Sequence, residues 1–385
     1  MNQQKTKEIF PIFSLLILAT ALFISIMTEA LPAGFLSLIS DDLKISQAEA
    51  GQLVTLYALG SLISAIPLTI ATEGWNRRQL LLTIMIGFTI TNLMTAYSNS
   101  FIVILVVRFL AGIFAGLLWA MVAGYATRIV SEDKKGRAIT LVMIGVPIAL
   151  SLGIPIGTYI GKLVGWRFTF HIVTIVSFLL LFCIKFCLPN LPAIQVTQRH
   201  SFFSILKIPN VKAILIINFI FAFGHNIFYT YISPYLQLSE NSSHVDIALL
   251  LFGIASILSI IIVGIFIDNY LRKLIIFSLI GFACSGMLFY VFYANYLLIL
   301  FSVIIWGLSF GGGATLFQTA SAKITGSSAD VAQSLLVSLW NLAIAGGGFW
   351  GGVFLNMYNA QILPIIMCGL LIIALLIVLI TRNLK

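Results

Sequence analysis

Apolar residues in this chain do not recur with the period of an amphipathic helix or strand. They run on for stretches of roughly 20 residues, the length an α-helix needs to cross a bilayer. Twelve such runs fall at about 10–37, 47–71, 79–97, 101–129, 138–162, 168–188, 212–237, 245–267, 274–293, 296–323, 330–357 and 361–381. The pattern predicts an all-α membrane protein of twelve transmembrane helices. The longest polar stretch, 189–211, carries Pro189, Pro192, Arg199 and Pro209. It divides the chain into an expected N-terminal bundle (1–188), a cytoplasmic linker (189–211) and a C-terminal bundle (212–385). The apolar run after Lys5 and Lys7 is too long for a cleavable signal and lacks a small-x-small cleavage site, so it is expected to remain as the first span.

Composition agrees. Hydrophobic residues make up 60% of the 385 residues and charged ones only 9%, with a mean hydropathy of +1.10. So few charges cannot cover a water-facing surface. The net charge of +9 does not point to nucleic acid, because no basic run is interleaved with aromatics. The charges sit in connectors instead. With the N-terminus inside, 17 of the 21 Lys and Arg lie on the cytoplasmic side, Lys44, Lys162 and Arg167 lie outside, and Arg108 lies within a span. That bias predicts cytoplasmic N- and C-termini. Cys183, Cys187, Cys284 and Cys368 lie in apolar runs without a CxxC pair and read as packing residues.

The two halves resemble each other at an offset of 195 residues. Gly112 and Gly116 correspond to Gly307 and Gly311, Gly153 and Gly157 to Gly348 and Gly352, Glu73 to Asp268, and Arg77-Arg78 to Arg272-Lys273. Repetition at one offset implies a parallel duplication and two six-helix bundles in pseudo-twofold relation.

The connector Thr69-Ile-Ala-Thr-Glu73-Gly-Trp-Asn76-Arg77-Arg78 and its counterpart Gly264-Ile-Phe-Ile-Asp268-Asn-Tyr-Leu-Arg272-Lys273 resemble the G-x-L-x-D-R-x-G-R-[RK] loop of the major facilitator superfamily. In the first copy Thr69 and Asn76 replace glycines, and Glu73 replaces Asp. Arg108-x3-Gly112-x3-Gly116 resembles that family's fourth helix. Gly153-Ile-Pro155-Ile-Gly157 resembles its antiporter motif in the form GxPxG rather than GPxxGG. Thr28-Glu29-Ala-Leu-Pro32-Ala-Gly34 and Gly51-Gln52-Leu-Val-Thr55-Leu-Tyr57-Ala-Leu-Gly60 are similar to the bacterial drug:proton antiporter branch with its sugar- and nucleoside-efflux members. The resemblance implies the major facilitator fold and proton-coupled export of a small organic molecule such as a drug, sugar or nucleoside. It implies gating roles for Glu73, Arg77, Arg78, Asp268, Arg272, Lys273, Gly153, Pro155 and Gly157.

Only two charges lie clearly within predicted spans, Glu29 and Arg108. A charge at the bilayer centre costs about 2.5–3.5 kcal/mol on insertion scales, so both should face a cavity rather than lipid. Counting from the expected helix ends puts both roughly 10–12 Å below the outer surface. They are the candidates for proton coupling, with structural hydrogen bonding as the alternative for each. Gln52, Thr55, Tyr57, Asn92, Trp119, Asn218, His225, Asn226, Tyr229, Trp306, Gln318, Trp340 and Asn341 are candidate cavity residues, each open also to a packing or interhelical role. His225 draws interest because imidazole titrates near neutrality.

No P-loop, metal-ligand spacing or nucleophile–base set occurs; the run Gly157 to Leu163 lacks Walker spacing. Neither an enzyme nor a cofactor is expected. The expected partners are a small-molecule substrate, protons and the bilayer of the inner membrane, with the chain a monomer. A proton-coupled uptake symporter is the rival reading, and a non-transporting membrane sensor a more distant one.

Overall fold

The structure, a computed structural model, describes residues 11–72, 74–131, 134–192, 206, 208–239, 244–325 and 329–381. Its first bundle comprises α1 (Ile12–Leu43), α2 (Gln47–Ala71), α3 (Arg77–Tyr97), α4 (Phe101–Arg128), α5 (in segments Lys135–Met143, Gly145–Ile148, Ala149–Gly153 and Ile154–Val164) and α6 (Trp166–Cys187). The second comprises α7 (Val211–Tyr229, then Ile232–Leu236), α8 (Val245–Ile267), α9 (Asn269–Val291), α10 (Tyr296–Phe310, then Gly313–Thr325), α11 (Ala329–Met357) and α12 (Ile362–Ile380). Eleven of these qualify as membrane spans by length and hydropathy among the described residues, and the 25-residue α2 completes the twelve. Large apolar side chains such as Phe186, Leu297 and Ile380 point outward, as lipid contact requires.

The breaks follow from backbone chemistry. Pro147 and Pro155 have no N–H for the carbonyls of Met143 and Ser151, and α5 responds with an interruption at Ile144 and a π-helical turn over Ala149–Gly153. Pro234 does the same for Thr230, so the predicted span 212–237 divides at Thr230–Tyr231. Gly165, at φ +98°, turns the chain from α5 into α6 in one residue, a conformation that disfavours any side chain. The predicted gap between the eighth and ninth spans closes to a single non-helical residue, Tyr270. At the start of α2, Ser46 and Glu49 form a capping box: the Glu49 carboxylate accepts from the Ser46 N–H at 2.7 Å, and the Ser46 hydroxyl accepts from the Glu49 N–H at 3.1 Å.

The internal repeat is visible in the packing. A Cβ on Gly112 would meet the Tyr57 carbonyl and one on Gly116 the Ser61 carbonyl, so α4 lies against α2 backbone to backbone. In the second bundle Gly307 meets the Phe252 carbonyl and Gly311 the Ser256 carbonyl, each 195 positions on. Small residues permit this approach where no hydrophobic effect drives helices together.

Between the bundles, α2 packs on α11 and α5 on α8. Val54 and Ala58 meet Ile344 and Ala345, and the π turn of α5 presses Ser151 against Gly253. At the end opposite the start of α1, hydrogen bonds also cross. Ser37 and Ser233 share one at 3.0 Å, and the Gln47 amide donates to Gln237 at 3.0 Å. Tyr231 fills the space over Gly51 of α2 and donates to the Gly348 carbonyl of α11 at 2.6 Å. The bundles are therefore closed together at this far end.

Candidate functional site

Pro32 lies inside α1 one turn after Thr28 and has no N–H to bond its carbonyl. Arg108, on α4 and 1% exposed, supplies the missing donor. Its guanidinium donates to the backbone carbonyls of Thr28, of Glu29 at 3.1 Å and of Leu53 at 3.1 Å, and lies 4.8 Å from the centre of the Tyr57 ring. Tyr57 in turn donates to the Ser25 carbonyl at 3.0 Å, and Asn92 of α3 donates to the Thr28 hydroxyl at 3.0 Å. The planar fork of five donors spreads over three carbonyls of two helices here, a wider span than one ammonium nitrogen covers.

Glu29 sits beside this nest but outside it. Its carboxylate is half-buried and has no hydrogen bond or ion pair among the described residues, while Arg108, Tyr57 and, from α7 of the other bundle, Tyr229 lie close enough to interact with its charge. α1 runs on to Leu43, so Glu29 lies about 21 Å along the helix from its far end, near mid-length, whereas Arg108 is about 10 Å into α4. The long arginine side chain bridges that difference to reach the α1 backbone.

At the position of the second bundle that the repeat relates to this nest, the chemistry changes. Val303 replaces Arg108, Phe252 replaces Tyr57 and Gly224 replaces Glu29. His225 stacks on Phe310 with ring centres 3.6 Å apart, and Trp306, Tyr229 and Phe252 surround it at 5.2, 4.9 and 5.7 Å. Trp340 of α11 reaches Phe310 at 5.9 Å. His225 Nδ1 and Trp306 Nε1 are buried without a hydrogen-bond partner among the described residues. An unmet buried donor or acceptor costs about 1–3 kcal/mol.

Other predicted cavity residues scatter. Asn218 donates to the Leu336 carbonyl at 3.2 Å, tying α7 to α11, while Asn226 and Asn341 bond carbonyls of their own helices. Gln52 lies in the α2–α11 contact beside Gly352, Thr55 beside Gly348, Trp119 is half-buried on α4, and Gln318 is exposed.

Of the expected gating residues, Glu73 lies outside the described residues. Asp268 lies just after α8, its side chain likewise undescribed, and Arg77 has polar contacts. Arg78 donates to the carbonyls of Lys185 and Leu188 at the end of α6, both at 3.3 Å. Arg272 donates to those of Val378 and Leu379 at the end of α12, at 3.3 and 3.4 Å. The structural counterparts are thus Arg78 and Arg272, one position off the 195-residue register, while Lys273 lies over the Tyr270 ring. Gly153 and Gly157 of α5 pack against Met27 and Leu31 of α1, and Pro155 lies between them.

Sequence reasoning missed Ser37, Gln47, Ser233 and Gln237, whose roles depend on contacts across the bundles. Pro32, four residues after Thr28, was the legible sign that a carbonyl there needed a donor.

A family model for the Major Facilitator Superfamily matches residues 18–348. The chain belongs to that superfamily. Among its relatives, a probable sugar efflux transporter of Helicobacter pylori (strain P12) is 25% identical over 363 residues, covering 94% of this chain and 93% of that one. The purine ribonucleoside efflux pump NepI of Shigella dysenteriae serotype 1 (strain Sd197) is 29% identical over 333 residues, covering 86% and 84%. A chloramphenicol efflux pump of Mycobacterium tuberculosis (strain CDC 1551 / Oshkosh) is 28% identical over 363 residues, covering 90% and 87%. The crystal structure of the nucleoside transporter NupG superposes with a TM-score of 0.75 at 16% identity, over 96% of this chain and 99% of that one. As a superfamily member the protein is a multi-pass membrane transporter, and its twelve helices adopt the major facilitator fold.

Proposed function

We propose that the protein exports a small organic molecule across the inner membrane in exchange for protons, with Glu29 as the proton carrier. The observation that carries this reading is the state of Glu29. It is an ionisable carboxylate at mid-helix in the membrane, without a bonded partner among the described residues, and within electrostatic reach of Tyr229 in the second bundle. Arg108 spends its donors on carbonyls and therefore does not clamp Glu29. The carboxylate is left available to a proton or to substrate.

The basic residues support N- and C-termini in the cytoplasm, which makes the closed far end the outer one. Alternating access then requires the Ser37–Ser233 and Gln47–Gln237 contacts to part when the protein opens outward. In that state Glu29 takes a proton, and the neutral acid holds substrate less tightly. Closing the far end again lets the proton leave inward. Export as the direction is supported by the efflux names of the relatives. We place the bundles at 1–188 and 212–385 with 189–211 as linker, and take the working unit to be a monomer.

The test is substrate-induced proton release from detergent-solubilised protein, using inosine, chloramphenicol and a galactoside in turn. Glu29→Gln should abolish release and pH-driven efflux in proteoliposomes while retaining some, weaker, binding. Undiminished release from that variant would remove Glu29 from the mechanism, and proton-driven accumulation into right-side-out vesicles would establish uptake instead.

A further inference from the structure

The two bundles carry opposite chemistry at the site that the repeat relates. The first holds the guanidinium, the carboxylate and the carbonyls, and the second holds rings. We propose that the aromatic nest of the second bundle is the substrate subsite, and that it takes a planar heteroaromatic or polar-substituted aromatic ring. The proposal deepens the transport reading above and rests on it.

Three observations carry it. First, six rings converge from four helices: His225 and Tyr229 from α7, Phe252 from α8, Trp306 and Phe310 from α10, and Trp340 from α11. Their faces offer stacking to any flat π system. Secondly, two buried polar atoms in the nest have no partner among the described residues. Trp306 Nε1 can only donate, and His225 Nδ1 donates or accepts according to its tautomer. Together they match a ring that bears hydrogen-bonding atoms on its edge, and an aliphatic group would leave both unmet. Thirdly, the nest has a way in. Phe310 and Trp340 are only half-buried, and Phe310 closes the first segment of α10 directly before the Gly311–Gly312 break. Its ring can swing away from His225 without bending a continuous helix, and the vacated face of the imidazole then receives the incoming ring. Tyr229 shares this nest and lies within electrostatic reach of Glu29, which links the subsite to the proposed proton carrier.

The experiment is equilibrium binding to purified protein in detergent, without a proton gradient, using inosine and chloramphenicol as aromatic probes and methyl β-galactoside as the non-aromatic one. At least one aromatic probe should bind saturably and the galactoside should not. His225→Phe and Trp306→Phe keep the rings and remove only the unmet nitrogens. Each should weaken aromatic binding by roughly tenfold, the loss of one hydrogen bond to ligand, while the unfolding midpoint stays level or rises. Phe310→Leu should change affinity in the same assay and guards against misfolding of either variant. Wild-type affinity in both nitrogen-free variants overturns the proposal, as does galactoside binding as tight as that of the aromatics, or no binding by either aromatic probe. Because the rings and their nitrogens are unchanged, Glu29→Gln should still bind the aromatic probes saturably, with an affinity that no longer varies with pH. Failure of proton coupling and failure of this subsite therefore give different results.

Discussion

The Arg108–Thr28 contact yields the most exacting test of how the first bundle is built. If Arg108 is held there because Pro32 deprives the Thr28 carbonyl of its helical donor, the two residues must be energetically coupled. Arg108→Met removes the guanidinium while keeping an apolar stem. It leaves three carbonyls without that donor, but those of Glu29 and Leu53 retain helical N–H groups at Ala33 and Tyr57 within uninterrupted turns. Only Thr28 is orphaned, at a cost of about 1–3 kcal/mol. The same substitution relieves the desolvation of a buried charge, so its net effect alone is ambiguous. Pro32→Ala resolves it by restoring an N–H four residues after Thr28. In that background Arg108→Met still loses the Glu29 and Leu53 contacts and the charge, and these cancel in a double-mutant cycle. What remains is the orphaned carbonyl, so Arg108→Met should be milder by about 1–2 kcal/mol when Pro32 is already replaced. Reversible unfolding in mixed micelles, followed by circular dichroism, measures the four species. Additivity within about 0.5 kcal/mol would refute the account, and Arg108 would then owe its position to Tyr57 or Leu53 alone.

Gly112→Ala and Gly307→Ala should each destabilise by about 1–3 kcal/mol, because the new methyl meets backbone of α2 or α8, whereas Gly124→Ala, with open space around it, should be neutral in the same unfolding assay. Ser37→Cys with Ser233→Cys, in a background freed of the four native cysteines, should form a disulfide that stops transport until reduced, since the two hydroxyls already touch at the far end; full transport by the oxidised form would show that this end need not open. Single cysteines at Tyr358 and Ser131 should label from opposite sides of intact cells, Tyr358→Cys from outside, and labelling of Ser131→Cys alone would invert the topology. Arg78→Ala and Arg272→Ala should loosen the ends of α6 and α12 in parallel, seen as faster hydrogen exchange of the last turn of each helix; protection unchanged in both would make these arginines topological signals only.

Twelve spans, two halves and their resemblance to one transporter family were legible in the chain, because each rests on local or periodic properties. A run of apolar residues long enough to cross a bilayer must be helical, since lipid satisfies no backbone group, and Gly112 and Gly116 make the same backbone contacts as Gly307 and Gly311, whereas Gly153 and Gly157 pack on α1 and their counterparts Gly348 and Gly352 face α2 across the bundles. Even so, a charged connector was a poor guide to where a helix ends. Nothing between Ile267 and Tyr270 breaks hydrogen bonding as proline does, and α8 runs into α9 with a single kinked residue. The charges within the spans identified Glu29 and Arg108, but their relation lay beyond the sequence. Arg108 binds backbone of α1 and α2, about 80 and 55 positions away, and the need it meets is created by Pro32. His225 likewise reads as a lone titratable group along the chain, and only the convergence of α7, α8, α10 and α11 makes it one ring among several. Length and hydropathy determine that a segment crosses the membrane. What a polar group does once inside is decided by whichever acceptors and rings the other helices bring to it, and in a low-dielectric interior those neighbours set its energy.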